Sequence, residues 1–222
     1  LGGIVGNIVG AASRRLVVAV SLVLAACATK NIEDDYALSA TTGKGVVIGS
    51  MARSRLSGSF RLYYRKIGGG EKGYFAYGLG FAQLPSFDKD DFKGPHLKGA
   101  LFAAELPAGD YEIDDWYVES NSTHTRPAEP FSIRFHVLPG KAVYLGGFIF
   151  ERTDYPAAAS GIVVGCRDER ARDMQIFAAK YPNLAETEIA SSIEESRSYE
   201  NIGNGSATRV TIDIPIINPP RR

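Results

Sequence analysis

Cysteine is scarce in this chain: Cys27 and Cys166 are the only two in 222 residues. A dense disulfide framework is therefore excluded as the source of stability. Net charge is absent too, with 25 basic and 25 acidic side chains spread along the sequence. No basic stripe offers itself to phosphates, so nucleic acid is not an expected partner. The three histidines, His96, His124 and His136, are too scattered for H-x-x-x-H spacing, and no metal or cofactor is expected. Long apolar runs are missing as well. The longest, Leu16 to Ala26, is far short of the about 20 residues that a helix needs to cross a bilayer. What is present is ordinary: 45% hydrophobic and 23% charged residues, as in a globular chain of one domain plus extras.

The apolar run is informative for what surrounds it. Arg14 and Arg15 precede it and small residues close it, which is the layout of a secretory signal. Its end, Leu24-Ala25-Ala26-Cys27, resembles the lipobox of bacterial lipoproteins. That resemblance covers only the leader. It implies cleavage between Ala26 and Cys27, and acyl chains such as palmitate on Cys27. Two or three chains make a durable anchor where one is marginal. A plain secretory signal or a buried strand is the alternative. Ser13-Arg14-Arg15-Leu16 resembles a twin-arginine motif, but Val17 and Val18 follow it, so ordinary Sec export is expected. Ala28 is not the aspartate associated with inner-membrane retention. By analogy with lipoprotein sorting, the expected location is the outer membrane of a Gram-negative bacterium, facing the periplasm. Removing residues 1–26 takes away Arg14 and Arg15 and no acid, leaving an excess of two acids.

Residues 27–45 are expected to be the lipidated N-terminus and a flexible polar tether, with Glu33, Asp34 and Asp35 as solvated charges. Residues 46–222 are expected to form a single domain, a mainly β antiparallel sandwich with one or two short C-terminal helices. From Val46 to Phe150, short apolar runs alternate with turn residues. Phe131, Ile133, Phe135 and Val137 share one face of a strand, and Ser132, Arg134 and His136 the other. Tyr111 and Ile113 lie on one parity, Trp116 and Val118 on the opposite one, so a β-bulge is expected near Asp114 and Asp115. Lys141–Phe150 is apolar on both parities, as befits a central strand. Spacings of three and four (Ala171, Met174, Phe177 or Ala178, Tyr181) predict a helix over 168–180, with Asp168 as N-cap and Pro182 beyond its end. A second helix is expected around Glu186–Glu195. Val210, Ile212 and Ile214 alternate as a last strand.

Two similar phrases, Leu106-Pro-Ala-Gly-Asp-Tyr111 and Leu138-Pro-Gly-Lys-Ala-Val-Tyr144, read as sharp turns that lead into strands. The first resembles the proline-glycine-tyrosine turn of transthyretin-like and carboxypeptidase-regulatory-like β-sandwiches. The likeness spans some six residues and implies a small sandwich for binding or positioning, without catalysis.

Other motifs fail on context. Gly68-Gly-Gly-Glu-Lys-Gly73 fits G-x-G-x-x-G, but the strand-like alternation after it points to a hairpin loop. Asp88, Asp90, Asp91 and Gly94 hint at calcium, yet Gly99 stands where an EF-hand loop would end in glutamate. Cys166 lies in the apolar run Gly161–Cys166 and reads as a buried inert thiol.

Three function classes remain. The favoured one is a lipid-anchored, noncatalytic binding or positioning module for an envelope component such as a protein, through loops or an aromatic edge such as Tyr63, Tyr74 and Tyr77. A hydrolytic or redox enzyme using Cys166 or a histidine, for example with His136, is the second. A purely structural envelope protein is the third.

Overall fold

The computed structural model describes residues 27–78, 89–120, 123–153, 161–192 and 199–210. The expected signal peptide, with Ala26, lies outside them, as do Asp88, Ile212 and Ile214. The chain is mainly β: two sheets face each other and one short helix follows. The strands are β1 (Cys27–Ala28), β2 (Lys44–Ser54), β3 (Ser59–Lys66), β4 (Lys72–Gly78), β5 (Phe92–Lys93), β6 (Leu97–Pro107), β7 (Gly109–Ser120), β8 (Thr123–Pro127), β9 (Ile133–Val137), β10 (Ala142–Arg152), β11 (Ile162–Arg167), β12 (Ile189–Ser191) and β13 (Ser206–Val210). The helix is α1 (Arg170–Lys180). One sheet runs β1-β4-β3-β7-β8-β13, with β9 also on β7; the other runs β11-β10-β2-β6-β5, with β12 also on β10.

Pairing is mostly antiparallel, but not wholly as expected. The central pair β2–β10 is parallel, as are β1–β4 and β10–β12. No alternation pattern in a single strand encodes the direction of its neighbour, so this feature arises only from the connections.

Alternation places the core. Phe60, Phe75, Phe102, Trp116, Phe148 and Phe150 fill the space between the sheets. The expected bulge is present: Tyr63 faces Asp115 and Tyr64 faces Ile113, leaving Asp114 unopposed. That extra residue lets Tyr111, Ile113, Trp116 and Val118 all point inward. The buried Trp116 indole needs a partner, and its N–H donates to the Ile202 carbonyl at 2.9 Å. In β9, Ile133, Phe135 and Val137 are buried while Arg134 and His136 are exposed. β10 is buried along most of its length on both faces, as its composition implies.

A second apolar layer lies on the outer side of the second sheet, where Phe177 and Tyr181 cover Val46, Ile48, Leu101 and Tyr144. α1 starts two residues later than expected. Its N-cap position holds Glu169, which makes no side-chain cap bond; Asp168 instead accepts from the Arg170 N–H at 2.9 Å. Ala171 is exposed, and the inward position is taken by Asp173. The second helix does not form over 186–192: turns lead into β12, which pairs with β10. Backbone pairing at an open sheet position outweighed the weak helical signal there.

The expected flexible tether is also corrected. Residues 28–43 lie against the body. The Thr29 N–H donates to the Tyr74 carbonyl (2.9 Å), and the Ile32 N–H to the Ala103 carbonyl (2.8 Å). Asn31 accepts from the Ala103 N–H (3.0 Å), and the Tyr36 hydroxyl donates to Glu105 (2.6 Å). Ile32 is buried in the outer apolar layer. Polar composition signalled slack, but these polar groups cover the open edge of β6.

Candidate functional site

The outward side chains of the first sheet form a tyrosine and arginine platform. In β3, Phe60, Leu62 and Tyr64 point inward, so Arg61, Tyr63 and Arg65 point out. Tyr74 does the same on β4, Tyr117 and Glu119 on β7 beyond the bulge, and His124 and Arg126 on β8. Register then brings them together. Tyr63 stands between Tyr74 and Asp115, Arg61 opposite Tyr117, and His124 opposite Glu119.

The rings and guanidiniums interleave. Tyr63 and Tyr74 have centroids 5.2 Å apart, and Tyr117 stacks on His124 at 5.7 Å. The Arg61 guanidinium lies 5.3 Å from the Tyr74 ring centre and 5.2 Å from that of Tyr117. Arg126 lies 5.0 Å from Tyr117 and 5.6 Å from Tyr63. Arg61 also pairs with Glu119 at 3.3 Å, and Arg126 with Asp115. Burial raises the Asp115 carboxyl above its ordinary range, against the lowering pull of Arg126. Burial and then Glu119 raise the Tyr117 phenol, so it is a neutral donor or acceptor at physiological pH. Stacked guanidiniums and phenols held in register suit recognition: Tyr and Arg are among the residues enriched where binding energy concentrates.

Of the aromatic edge expected from sequence, Tyr63 and Tyr74 come together and Tyr77 does not. Tyr77 lies three residues from Tyr74, hence on the other face of the strand; it is buried and its hydroxyl donates to Asp90 at 2.6 Å. Arg61, Tyr117, His124 and Arg126 were not foreseen. The alternation of β3 pairs Arg61 with Tyr63, but the neighbours on β7 and β8 follow only from register.

The imagined pairing of Cys166 with His136 is not formed. Cys166 is buried between the sheets, its thiol directed at the Leu145 carbonyl (3.6 Å), and burial pushes its pKa up to about 12. His136 is exposed on the first sheet, with Nδ1 2.6 Å from Asp110. His136 and Asp110 line an open groove of about 560 Å³ together with Arg134 and Ser192. The Ser192 hydroxyl donates to the Tyr144 carbonyl at 3.1 Å and not to this histidine. A smaller hollow of about 330 Å³ is lined by Arg53, Arg55, Ser57, His96 and Lys98 at the β2–β3 turn. Asp90 and Asp91, considered for calcium, serve as structural acceptors. Asp90 takes the Tyr77 hydroxyl, while Asp91 takes the Leu101 N–H and pairs with Lys180 at 2.9 Å. Among the described residues no cluster of three metal-ligating side chains occurs, and no helix is long and apolar enough to cross a membrane.

Cys27, the expected lipidation site, begins β1 and pairs in register with Gly73 of β4. Set against protein-family models, curated proteins and solved structures, the chain matches none of them.

Proposed function

We propose that this protein is a lipid-anchored envelope lipoprotein that binds or positions another envelope component without catalysing a reaction. In this reading Cys27 carries the acyl chains, and the body faces the periplasm from the outer membrane of a Gram-negative bacterium. The sandwich is a recognition module of the transthyretin-like or carboxypeptidase-regulatory-like kind. The observation that carries the binding role is the platform of Arg61, Tyr63, Tyr74, Tyr117 and Arg126, whose rings and guanidiniums stand in register on a rigid sheet face. Support for the anchor comes from the Leu24–Cys27 lipobox. Against an enzyme using Cys166 stands the burial of that thiol, which raises its pKa and keeps it protonated at neutral pH.

A photo-crosslinking residue placed at Tyr63 or Tyr74 in living cells tests the binding role. The expected outcome is a discrete adduct from both sites and none from Gln175, exposed on α1 on the outer side of the second sheet. Absence of any adduct from the platform, or equal adducts from Gln175, refutes it.

A further inference from the structure

The fold gathers three turns at one end of the sandwich. β3 runs toward this end and β4 away from it, joined through Ile67 and the glycines that follow. The β6–β7 turn at Pro107–Gly109 lies alongside, since the Ile67 N–H donates to the Asp110 carbonyl at 2.8 Å. The β9–β10 turn completes the group, because Gly109 is the register partner of Val137. Among the described residues, the exposed large hydrophobics are Ile67 (40%) and Leu138 (51%), and both sit here. Isolated exposed apolar residues are commonplace. Their meaning here comes from where Cys27 lies.

β1 is parallel to β4 and pairs at Cys27 with Gly73, close to the start of β4. Cys27 is therefore the residue of β1 nearest the same three turns. The chain after it is held to the body at Thr29, Ile32 and Tyr36 and has no slack to let the body stand away. From β1 to β9 there are four strand spacings across the sheet, about 19 Å in all, so a lipid on residue 27 would lie within a few headgroup widths of Ile67 and Leu138. Charge at this end is mixed, with Glu71 and Asp110 as exposed acids and the lysines engaged. Lys44 pairs with Glu105, Lys141 with Glu188, and Lys66 donates to the Ala108 carbonyl.

We propose that this end of the sandwich docks on the lipid surface, with Ile67 and Leu138 entering the headgroup and acyl boundary beside the anchor. The inference rests on acylation of Cys27 and goes beyond it by fixing how the body stands. The strands are upright on the membrane, the tyrosine and arginine platform faces sideways, and the hollow lined by Arg53 and Lys98 is at the distal end.

The test uses the full protein purified from its native membrane and reconstituted in phosphatidylethanolamine and phosphatidylglycerol vesicles with brominated acyl chains. Mass spectrometry of residue 27 is run on the same sample. Ile67→Trp and Leu138→Trp place an emitter at each contact, Ser57→Trp one at the far end, and buried Trp116 supplies a constant background. Positions 67 and 138 are expected to shift to the blue and lose emission to bromine, while position 57 is unchanged. In the unsubstituted protein, vesicles should slow deuterium uptake at residues 67–71 and 138–140. Acylated protein whose positions 67 and 138 are quenched no more than 57 overturns the docking and leaves the anchor standing. An unmodified residue 27 overturns both. Protection of these turns that grows with protein concentration in lipid-free solution would instead assign the surface to a second copy of the chain.

Discussion

Asp173 is wholly buried on α1, yet its carboxylate is fully satisfied. One oxygen accepts from the Ser50 hydroxyl at 2.7 Å and the Tyr144 hydroxyl at 2.8 Å, and the other from Arg172 at 2.9 Å. The Arg172 guanidinium in turn lies 3.9 Å from the Phe92 ring centre. Burial and then the Asp173 charge push the Tyr144 phenol far above its ordinary value, so it stays a donor. This network ties the helix to the second sheet. Removing the acid leaves the Ser50 and Tyr144 hydroxyls without their acceptor, while Arg172 keeps Glu169 at 3.2 Å, so Asp173→Ala is expected to lose about 2–4 kcal/mol of stability. Tyr144→Phe keeps the ion pair and should lose only about 1–2 kcal/mol. Urea unfolding followed by circular dichroism measures both. A loss below about 1 kcal/mol for the alanine variant would show that the helix is not tied through this acid.

Between elements, the strap of residues 28–43 depends on Glu105. Its carboxylate accepts from Lys44 at 2.7 Å and Tyr36 at 2.6 Å, and these bonds hold its pKa below the ordinary 4.5. A carboxyl lowered in the folded state contributes stability that is fully present above the ordinary value and is lost as pH falls through the lowered one. Acidification from neutral to about pH 3 should therefore loosen the strap before the sheets. Deuterium uptake at residues 28–38 is expected to rise ahead of uptake in β2 and β10, and Glu105→Gln should show the same increase at neutral pH. Uptake that rises everywhere at once would mean that the strap is no weaker than the core. Several elements were legible beforehand. The bulge at Asp114 followed from a change of parity between Ile113 and Trp116, and the period of α1 from its three and four spacings. The strap was not legible, because Asn31, Ile32 and Tyr36 are too widely spaced for any local pattern and their hydrogen-bond partners lie some seventy residues away, on β6.

For the whole molecule, the decisive contact is the parallel pair β2–β10, which sets Val46 beside Ala142. The chain must close this long loop before the second sheet is complete, and such non-local pairing is slow. Refolding followed by Trp116 fluorescence is expected to take roughly milliseconds to seconds; microsecond folding would contradict this assembly order. The same topology collects the turns of both proline-glycine phrases at one end. In the first, the Tyr111 hydroxyl donates back to the Pro107 carbonyl at 2.8 Å; in the second, Gly140 takes a φ of 65° that only glycine adopts readily. Each turn was readable alone. Their shared position beside Cys27 was not.

The sequence by itself determined which faces are wet and which are dry. Period-two alternation, the parity change at Asp114 and the apolar stretch of β10 are properties of consecutive residues, and burial follows directly from them. The tertiary structure alone decided which strands are neighbours, and in which direction. Strand pairing uses backbone groups that are the same in every residue, so nothing in Arg61, Tyr63, Tyr74, Tyr117 and Arg126 taken singly marks them as a platform. Likewise, a lone thiol in an apolar run reads as inert wherever it lies, but only the two packed sheets show Cys166 sealed between them and His136 on the outside.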